Sequence, residues 1–334
     1  MTGTSAEITR RDLEKLGLAR GGDPVRLTPL SGGVSSDICK VEACGRVFVV
    51  KRALAKLRVM DDWRAPTSRN RHEADWLEVA GRIVPGAAPR VLARDADGGL
   101  FAMEYFDPQS FPVWKERLRE GDVDITFAAA VGRSIARIHA ETAADTTVAR
   151  RFATGVIFHA IRLEPYFEAA ARRHPAVAAP LLELSSLTLA TNLALVHGDV
   201  SPKNILVGTK GPIFLDAECA WFGDPAFDLA FCLNHLLLKT LWNRPAAPGL
   251  LDAFDGLAGA YLEGVVWEPR GQLEARAARL LAGLLLARVD GKSPVEYLGA
   301  SEQEFVRRAA LPMIASPVGS PFEVRRVWAS RLGL

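Results

Sequence analysis

Through the first hundred residues the apolar positions fall in short runs separated by turn-forming residues. "VRLTPL" (25–30), "DICKVEA" (37–43) and "RVFVVKRA" (46–53) are β-like and valine-rich, and Gly45 turns the last two into a hairpin. "SRNRHEADWLEVAGRIV" then places Trp76, Leu77, Ala80 and Val84 on one side of a helix. Two further runs, "PRVLARD" and "LFAMEYF", flank a turn at Asp97-Gly98-Gly99. Together these predict a small antiparallel sheet with one prominent helix, ending near residue 106. From about 112 onward the spacing is helical. In "VDITFAAAVGRSIARIHAETA", Phe127, Val131, Ile135 and Ile138 recur every three or four residues, and the same period returns in 158–173, 176–193, 225–242, 248–264, 270–288, 301–315 and 321–332. Only 195–216 interrupts it with β-like runs. The expected fold class is α+β: a sheet lobe over 1–106, a larger helical lobe over 107–334, and a cleft between them where a ligand can bind.

The interruption carries the chemistry. "LVHGDVSPKNILV" (195–207) sets a histidine, an aspartate, a lysine and an asparagine between apolar flanks, and flanks anchored in a core let a loop hold polar side chains in fixed positions. Asp199 and Asn204 stand five residues apart. Asp216 ends the next apolar run, "GPIFLD", and Glu218 follows two residues later. Oxygens from Asn204, Asp216 and Glu218 suit Mg²⁺, a hard cation that takes oxygen ligands. Asp199 then remains as a carboxylate that can orient a hydroxyl and accept its proton.

"HGDVSPKN" followed by "IFLDAE" resembles the catalytic loop and metal motif of the aminoglycoside phosphotransferase and choline kinase superfamily, which shares the protein-kinase-like fold. The resemblance covers nearly the whole chain. It implies that Lys51, ending "VFVVK", holds the α/β-phosphates of ATP and that Glu73, in "RHEADWL", is its ion-pair partner. "LSGGVSSDICKV" is similar to the phosphate-covering turn, which assigns Gly32, Gly33, Ser35 and Ser36 to the nucleotide. "AMEYF" is similar to the hinge whose backbone meets the adenine, which assigns Glu104 and Tyr105. The implied function is ATP- and Mg²⁺-dependent phosphoryl transfer to a small hydroxylated acceptor such as a sugar, an amino sugar or an amino alcohol. A nucleotide-binding pseudokinase is the alternative from another class, but loss of Lys51, Asp199 or Asp216 would be its signature and all three are present.

Departures from the protein-kinase pattern are informative. Gly198 stands where regulated protein kinases carry an arginine, too few residues separate Asp216 from Asp228 for an activation loop, and no "APE" follows. Protein kinase activity is therefore disfavoured. Ser201 stands where protein kinases keep a lysine, and Asp-Ala-Glu replaces Asp-Phe-Gly, as in choline and methylthioribose kinases. His197 reads as a brace for the catalytic loop in preference to a general base, Asp228 as its anchor, His139 as a packed helix histidine, and Lys203 as either solvent-exposed or touching a phosphate. "ARVDGKSPVEYL" (287–298) reads as a polar connection between helices that can reach the acceptor. A cationic acceptor would call on Asp290, Glu296, Trp221 or Trp242, and a sugar on Arg288, Asp290 and Lys292.

Composition changes this picture little. A formal charge of +2 over 334 residues gives no electrostatic reason to expect nucleic acid or an anionic membrane as partner. Cys39, Cys44, Cys219 and Cys232 show no zinc spacing and read as reduced thiols. The N-terminus lacks the apolar core of a signal peptide, so a cytoplasmic protein is expected.

Overall fold

The computed structural model describes residues 8–30, 35–56, 66–95 and 99–334. Five strands, β1 (Val25–Pro29), β2 (Ser36–Ala43), β3 (Arg46–Ala53), β4 (Val91–Asp95) and β5 (Leu100–Glu104), form an antiparallel sheet in the order β1-β2-β3-β5-β4. The β2–β3 hairpin closes on Cys44 and Gly45, with φ of +52° and +69°, between the paired Ala43 and Arg46. Positive φ at both turn positions matches the right-handed twist of the strands, and Gly45 adopts it at no steric cost.

Period-two alternation divides the sheet between two cores. Phe48 and Val50 of β3, with Leu100 and Ala102 of β5, pack with Leu13 from a short helix, Arg10–Lys15, and with Leu16, which caps it. That helix was not expected from the sequence, and Asp12 ties it to β3 by pairing with Arg52 at 2.6 Å. Val49, Phe101 and Met103 face the other way, against the Arg69–Ile83 helix. This second core does not end with the sheet. It continues through Trp76 into the helical region that begins at Trp114, so both regions share one apolar cluster.

Most of the expected helices are present, among them Ile125–Thr142, Ala226–Trp242, Ala247–Glu263 and Arg270–Asp290. Two local departures matter for the site. Over His159–Glu168 the backbone is a π-helix containing Pro165; proline lacks the N–H an α-helix needs, and the wider turn accommodates it. The Arg270–Asp290 helix also runs through the beginning of what reads in sequence as a polar connection, so Arg288 and Asp290 are helical and buried. Short strands β6 (Ala194–Val196), β7 (Ile205–Gly208), β8 (Gly211–Phe214) and β9 (Trp221–Gly223) pair as β6–β9 and β7–β8 and frame the interruption. Among the described residues no helix is long and apolar enough to cross a membrane.

Candidate active site

The loop after β6 is fixed from its backbone outward. Asp228, in the first turn of the Ala226–Trp242 helix, accepts from the N–H groups of His197 at 2.7 Å and Gly198 at 2.8 Å. His139 meets the same carboxylate at 3.2 Å and the Tyr261 hydroxyl at 2.8 Å, so it is packed and also hydrogen-bonded. His197 is a brace: Nδ1 accepts from the Asp199 N–H at 3.1 Å, which leaves Nε2–H to donate to the Leu215 carbonyl at 3.1 Å. Burial holds the His197 pKa below its ordinary value, so the ring stays neutral. Trp76 meets this ring edge-on at 4.6 Å between centroids, which couples the Arg69–Ile83 helix directly to the loop. Gly198 has φ of +80°, and a Cβ there would sit 2.7 Å from the Cβ of Cys219. Local packing alone therefore demands glycine at the position where protein kinases place arginine.

Asp199 is 3% exposed, yet its charge is matched. Its Oδ2 lies 2.8 Å from Arg162 Nη2, on the π-helix, and 3.4 Å from Lys203 Nζ. Arg162 also donates through Nε to the Gly198 carbonyl at 2.7 Å, so one guanidinium holds both the loop backbone and its carboxylate. Asn204 donates from Nδ2 to the Asp199 carbonyl at 3.1 Å. Lys203 is half exposed, as expected, but stands beside Asp199. Ser201 is fully buried, and its hydroxyl meets no partner among the described residues.

The sheet supplies the second group. Lys51 donates to Glu73 at 2.8 Å and also meets Asp216 directly. Burial alone would lower the Lys51 pKa, but the charges of Asp216, Glu73 and Glu218 outweigh it and keep the amine protonated. Burial likewise opposes ionisation of Asp216, and Lys51 with Lys203 overcomes it, holding this carboxylate well below the usual range. Glu73 goes the other way: burial pushes its pKa up to about 7 against the pull of Lys51. Asp216 has φ of +65°, the left-handed region that non-glycine residues rarely occupy and that recurs at functional sites.

Glu218 is held differently. Arg69, buried at the start of its helix, donates to Glu218 Oε2 at 3.0 Å and to the backbone carbonyls of Leu54 at 2.6 Å and of Ser35. Arg69 thus joins the end of the expected phosphate-covering turn to the acidic motif, a role with no local signature in sequence. Ser35 and Ser36 are buried, and Gly32 and Gly33 lie outside the described residues. The Glu104 N–H donates to the Arg90 carbonyl at 3.0 Å, and Tyr105 lies 5.0 Å from Lys40 Nζ. Glu104 also lines a cavity of about 630 Å³ with Leu77, Phe106 and Ile213. Lys51, Asp199 and Asp216 lie outside that cavity, so it is not where the charged groups converge.

The oxygen set fits a hard cation. With Asn204 Nδ2, one oxygen of Asp216 and one of Glu218 engaged, each side chain keeps an oxygen without a protein donor among the described residues. Among the described residues no three His, Cys, Asp or Glu side chains form a metal cluster. No disulfide joins the four cysteines, and burial raises the thiol pKa of Cys219 and Cys232, which makes them inert.

A lysine-bearing antiparallel sheet over a helical region that carries an Asp199–Asn204–Asp216 loop system is the protein-kinase-like fold. The chain belongs to the phosphotransferase enzyme family APH, whose model matches residues 26–263. It is similar to the methylthioribose kinase of Yersinia pseudotuberculosis serotype O:3 (strain YPIII), at 25% identity over 63% of this chain and 57% of that one. The enzyme of the same description from Pectobacterium carotovorum subsp. carotovorum (strain PC1) is 26% identical over 63% of this chain and 58% of its own. The match thus spans less than two thirds of these curated relatives. Among solved structures, the amicoumacin kinase hAmiN in complex with AMP-PNP, Ca²⁺ and Ami superposes with a TM-score of 0.55 at 13% identity, covering 95% of this chain and 96% of that one. An aminoglycoside phosphotransferase from Alicyclobacillus acidocaldarius subsp. acidocaldarius DSM 446 gives 0.50 at 14% identity, covering 99% and 97%. At these identities the structural likeness speaks for the fold.

Proposed function

We propose that the protein transfers the γ-phosphoryl group of ATP to a hydroxyl of a small molecule. The observation that carries this reading is that Lys51 joins Glu73 to Asp216 while Lys203, paired with Asp199, senses the Asp216 charge as well. The family membership supports it, as does the similar amicoumacin kinase solved in complex with AMP-PNP.

Phosphoryl transfer has a loose transition state, so the protein supplies alignment and charge stabilisation. Lys51, held by Glu73, orients the α/β-phosphates. Asp199 aligns the acceptor hydroxyl and takes its proton as the oxygen bonds to the γ-phosphorus. The bond from that phosphorus to the β-bridging oxygen breaks, and ADP leaves. Asn204, Asp216 and Glu218 would hold Mg²⁺, which supplies charge neutralisation of the phosphate oxygens when bound. Residues 1–106 act as nucleotide lobe and 107–334 as acceptor lobe, and Arg162 and Lys203 pair with Asp199 next to the acceptor.

ADP formation, measured with the purified chain, ATP and Mg²⁺ across a panel of small hydroxylated molecules, tests the reading. Acceptor-dependent ADP release with a phosphate monoester as product is expected. ADP release that no acceptor stimulates would overturn it.

A further inference from the structure

The helical side of Asp199 carries several cations, and two of them, Arg288 and Lys239, form no ion pair with a carboxylate among the described residues. Arg162, paired with Asp199, lies 5.7 Å from the Tyr166 ring centre and 5.5 Å from that of Phe231. Arg288 reaches the same tyrosine, with its guanidinium 5.7 Å from the ring and Nη1 3.1 Å from the hydroxyl. Phe231, His235 and Lys239 follow at four-residue spacing on one face of the Ala226–Trp242 helix. Lys239 Nζ lies 4.8 Å from both the Trp242 and Tyr297 rings, which are stacked, and Lys115 approaches the same pair at 5.8 Å.

The nearby carboxylates are already committed. Asp290 is held by Arg307 at 2.8 and 2.9 Å and by His174 at 2.7 Å. Glu296 pairs with Lys115, Glu116 with Arg119, and Lys292 with Glu164. Lys239 is 1% exposed, with its amine set against the Trp242 and Tyr297 rings. Arg288 donates through Nη1 to the Ser293 carbonyl and hydroxyl, while its Nε and the Tyr297 hydroxyl are buried with no partner among the described residues. Burial first, then Arg288, Lys239, Lys203 and Lys115, holds the His235 pKa far below its ordinary value, so one ring senses all four cations at once. A buried cation with no carboxylate beside it is costly inside a fold, and an anionic ligand would offset that cost and favour the protonated Lys239 amine.

The carboxylates expected to receive a cationic acceptor are therefore unavailable, and what the site offers is cationic. We propose that the acceptor is a hydroxylated molecule carrying an acidic group, a carboxylate or a phosphate, which Arg288 and Lys239 bind while its hydroxyl faces Asp199. Arg288 offers guanidinium donors suited to such an oxyanion, and Lys239 a point charge. The stacked Trp242 and Tyr297 rings exclude water around that amine and strengthen its field. This rests on the phosphotransferase reading and names its substrate class.

Binding to the full chain without nucleotide, followed calorimetrically, separates the two. The probes are matched sets: D-glycerate and D-gluconate against glycerol and D-glucose, ribose 5-phosphate against ribose, and choline as the cation. At least one acidic member is expected to bind tenfold or more tightly than its neutral counterpart, with affinity falling as salt rises. The carboxylate and phosphate arms tell the two acids apart. Arg288→Gln and Lys239→Met should each lower that affinity at least tenfold while ATP affinity stays within twofold, and thermal unfolding verifies that both variants fold. Equal or tighter binding of the neutral or cationic members, no binding by any acidic member, or unchanged affinity in both variants would overturn the proposal. Acidic ligands that bind but receive no phosphoryl group would instead overturn the phosphotransferase reading and leave the anion site standing.

Discussion

Arg162 and Asp199 form a buried ion pair, 2.8 Å between Nη2 and Oδ2, that joins an irregular helix to the catalytic loop. Neither partner is more than 7% exposed, so each has given up most of its hydration for the other. Arg162 from the π-helix and Lys203 from the loop both contact Oδ2.

Removing one partner of such a pair strands the other, at a typical cost of about 3–5 kcal/mol. Arg162→Met should lower stability by roughly this amount in a denaturant titration and reduce turnover, because the Gly198 carbonyl loses its donor as well. Combining it with Asp199→Asn should cost less stability than the two single losses summed. Additive losses would mean that the pair is uncoupled.

Lys239 carries a pH signature. Burial, helped by Lys115, lowers its pKa from the ordinary 10.5 to about 7. Between those values the unfolded chain holds a proton that the folded protein lacks, so stability rises with pH across this window. Below about pH 7 both states are protonated and the full penalty remains. Lys239→Met keeps the apolar stem between the rings and removes the charge. It should raise stability at neutral pH by about 1–3 kcal/mol and flatten the rise between pH 7 and 10. Calorimetric unfolding at several pH values checks both; a destabilised variant with the parent's slope would contradict this reading.

Gly198→Ala should be among the most damaging small substitutions. The left-handed φ alone costs about 1–2 kcal/mol, and the added methyl meets Cys219 Cβ at 2.7 Å. A loss of at least about 2 kcal/mol is expected, with lower turnover as Asp199 shifts. Wild-type stability in this variant would show that the loop moves freely.

The two acidic residues of "DAE" should separate. Asp216→Ala removes the counter-charge of Lys51 and the carboxylate proposed as the main anionic ligand of Mg²⁺, and Mg²⁺-dependent ATP binding should disappear. Glu218→Gln keeps an oxygen and the contact with Arg69, so it should mainly raise the Mg²⁺ concentration required. Titration with ATP at several Mg²⁺ concentrations distinguishes them, and equal small effects would contradict the ranking.

Much of the loop system was legible because its chemistry is local. Asp199, Asn204 and Asp216 lie within one short stretch, and strand alternation brought Lys51 and Glu73 to the expected ion pair. Arg162 was not legible. "IRLEPYF" reads as an ordinary helix, and only the π-turn accommodating Pro165 and the approach of a distant loop give the arginine its partner. Arg69 has the same history, since its partners at 35, 54 and 218 are adjacent only after folding. Asp290 and Trp221 looked available for an acceptor in sequence. Folding commits the first to His174 and Arg307 and stacks the second on Phe158 at 4.3 Å.

The central claim is that Asp199 aligns and deprotonates an acceptor hydroxyl during transfer from ATP. Phosphorus NMR of product formation, comparing the parent chain with Asp199→Asn at saturating ATP, Mg²⁺ and acceptor, tests it most directly. The account predicts that transfer slows by roughly 10²–10⁴-fold while the ATP Kd stays nearly unchanged. Transfer at the parent rate by Asp199→Asn would contradict it.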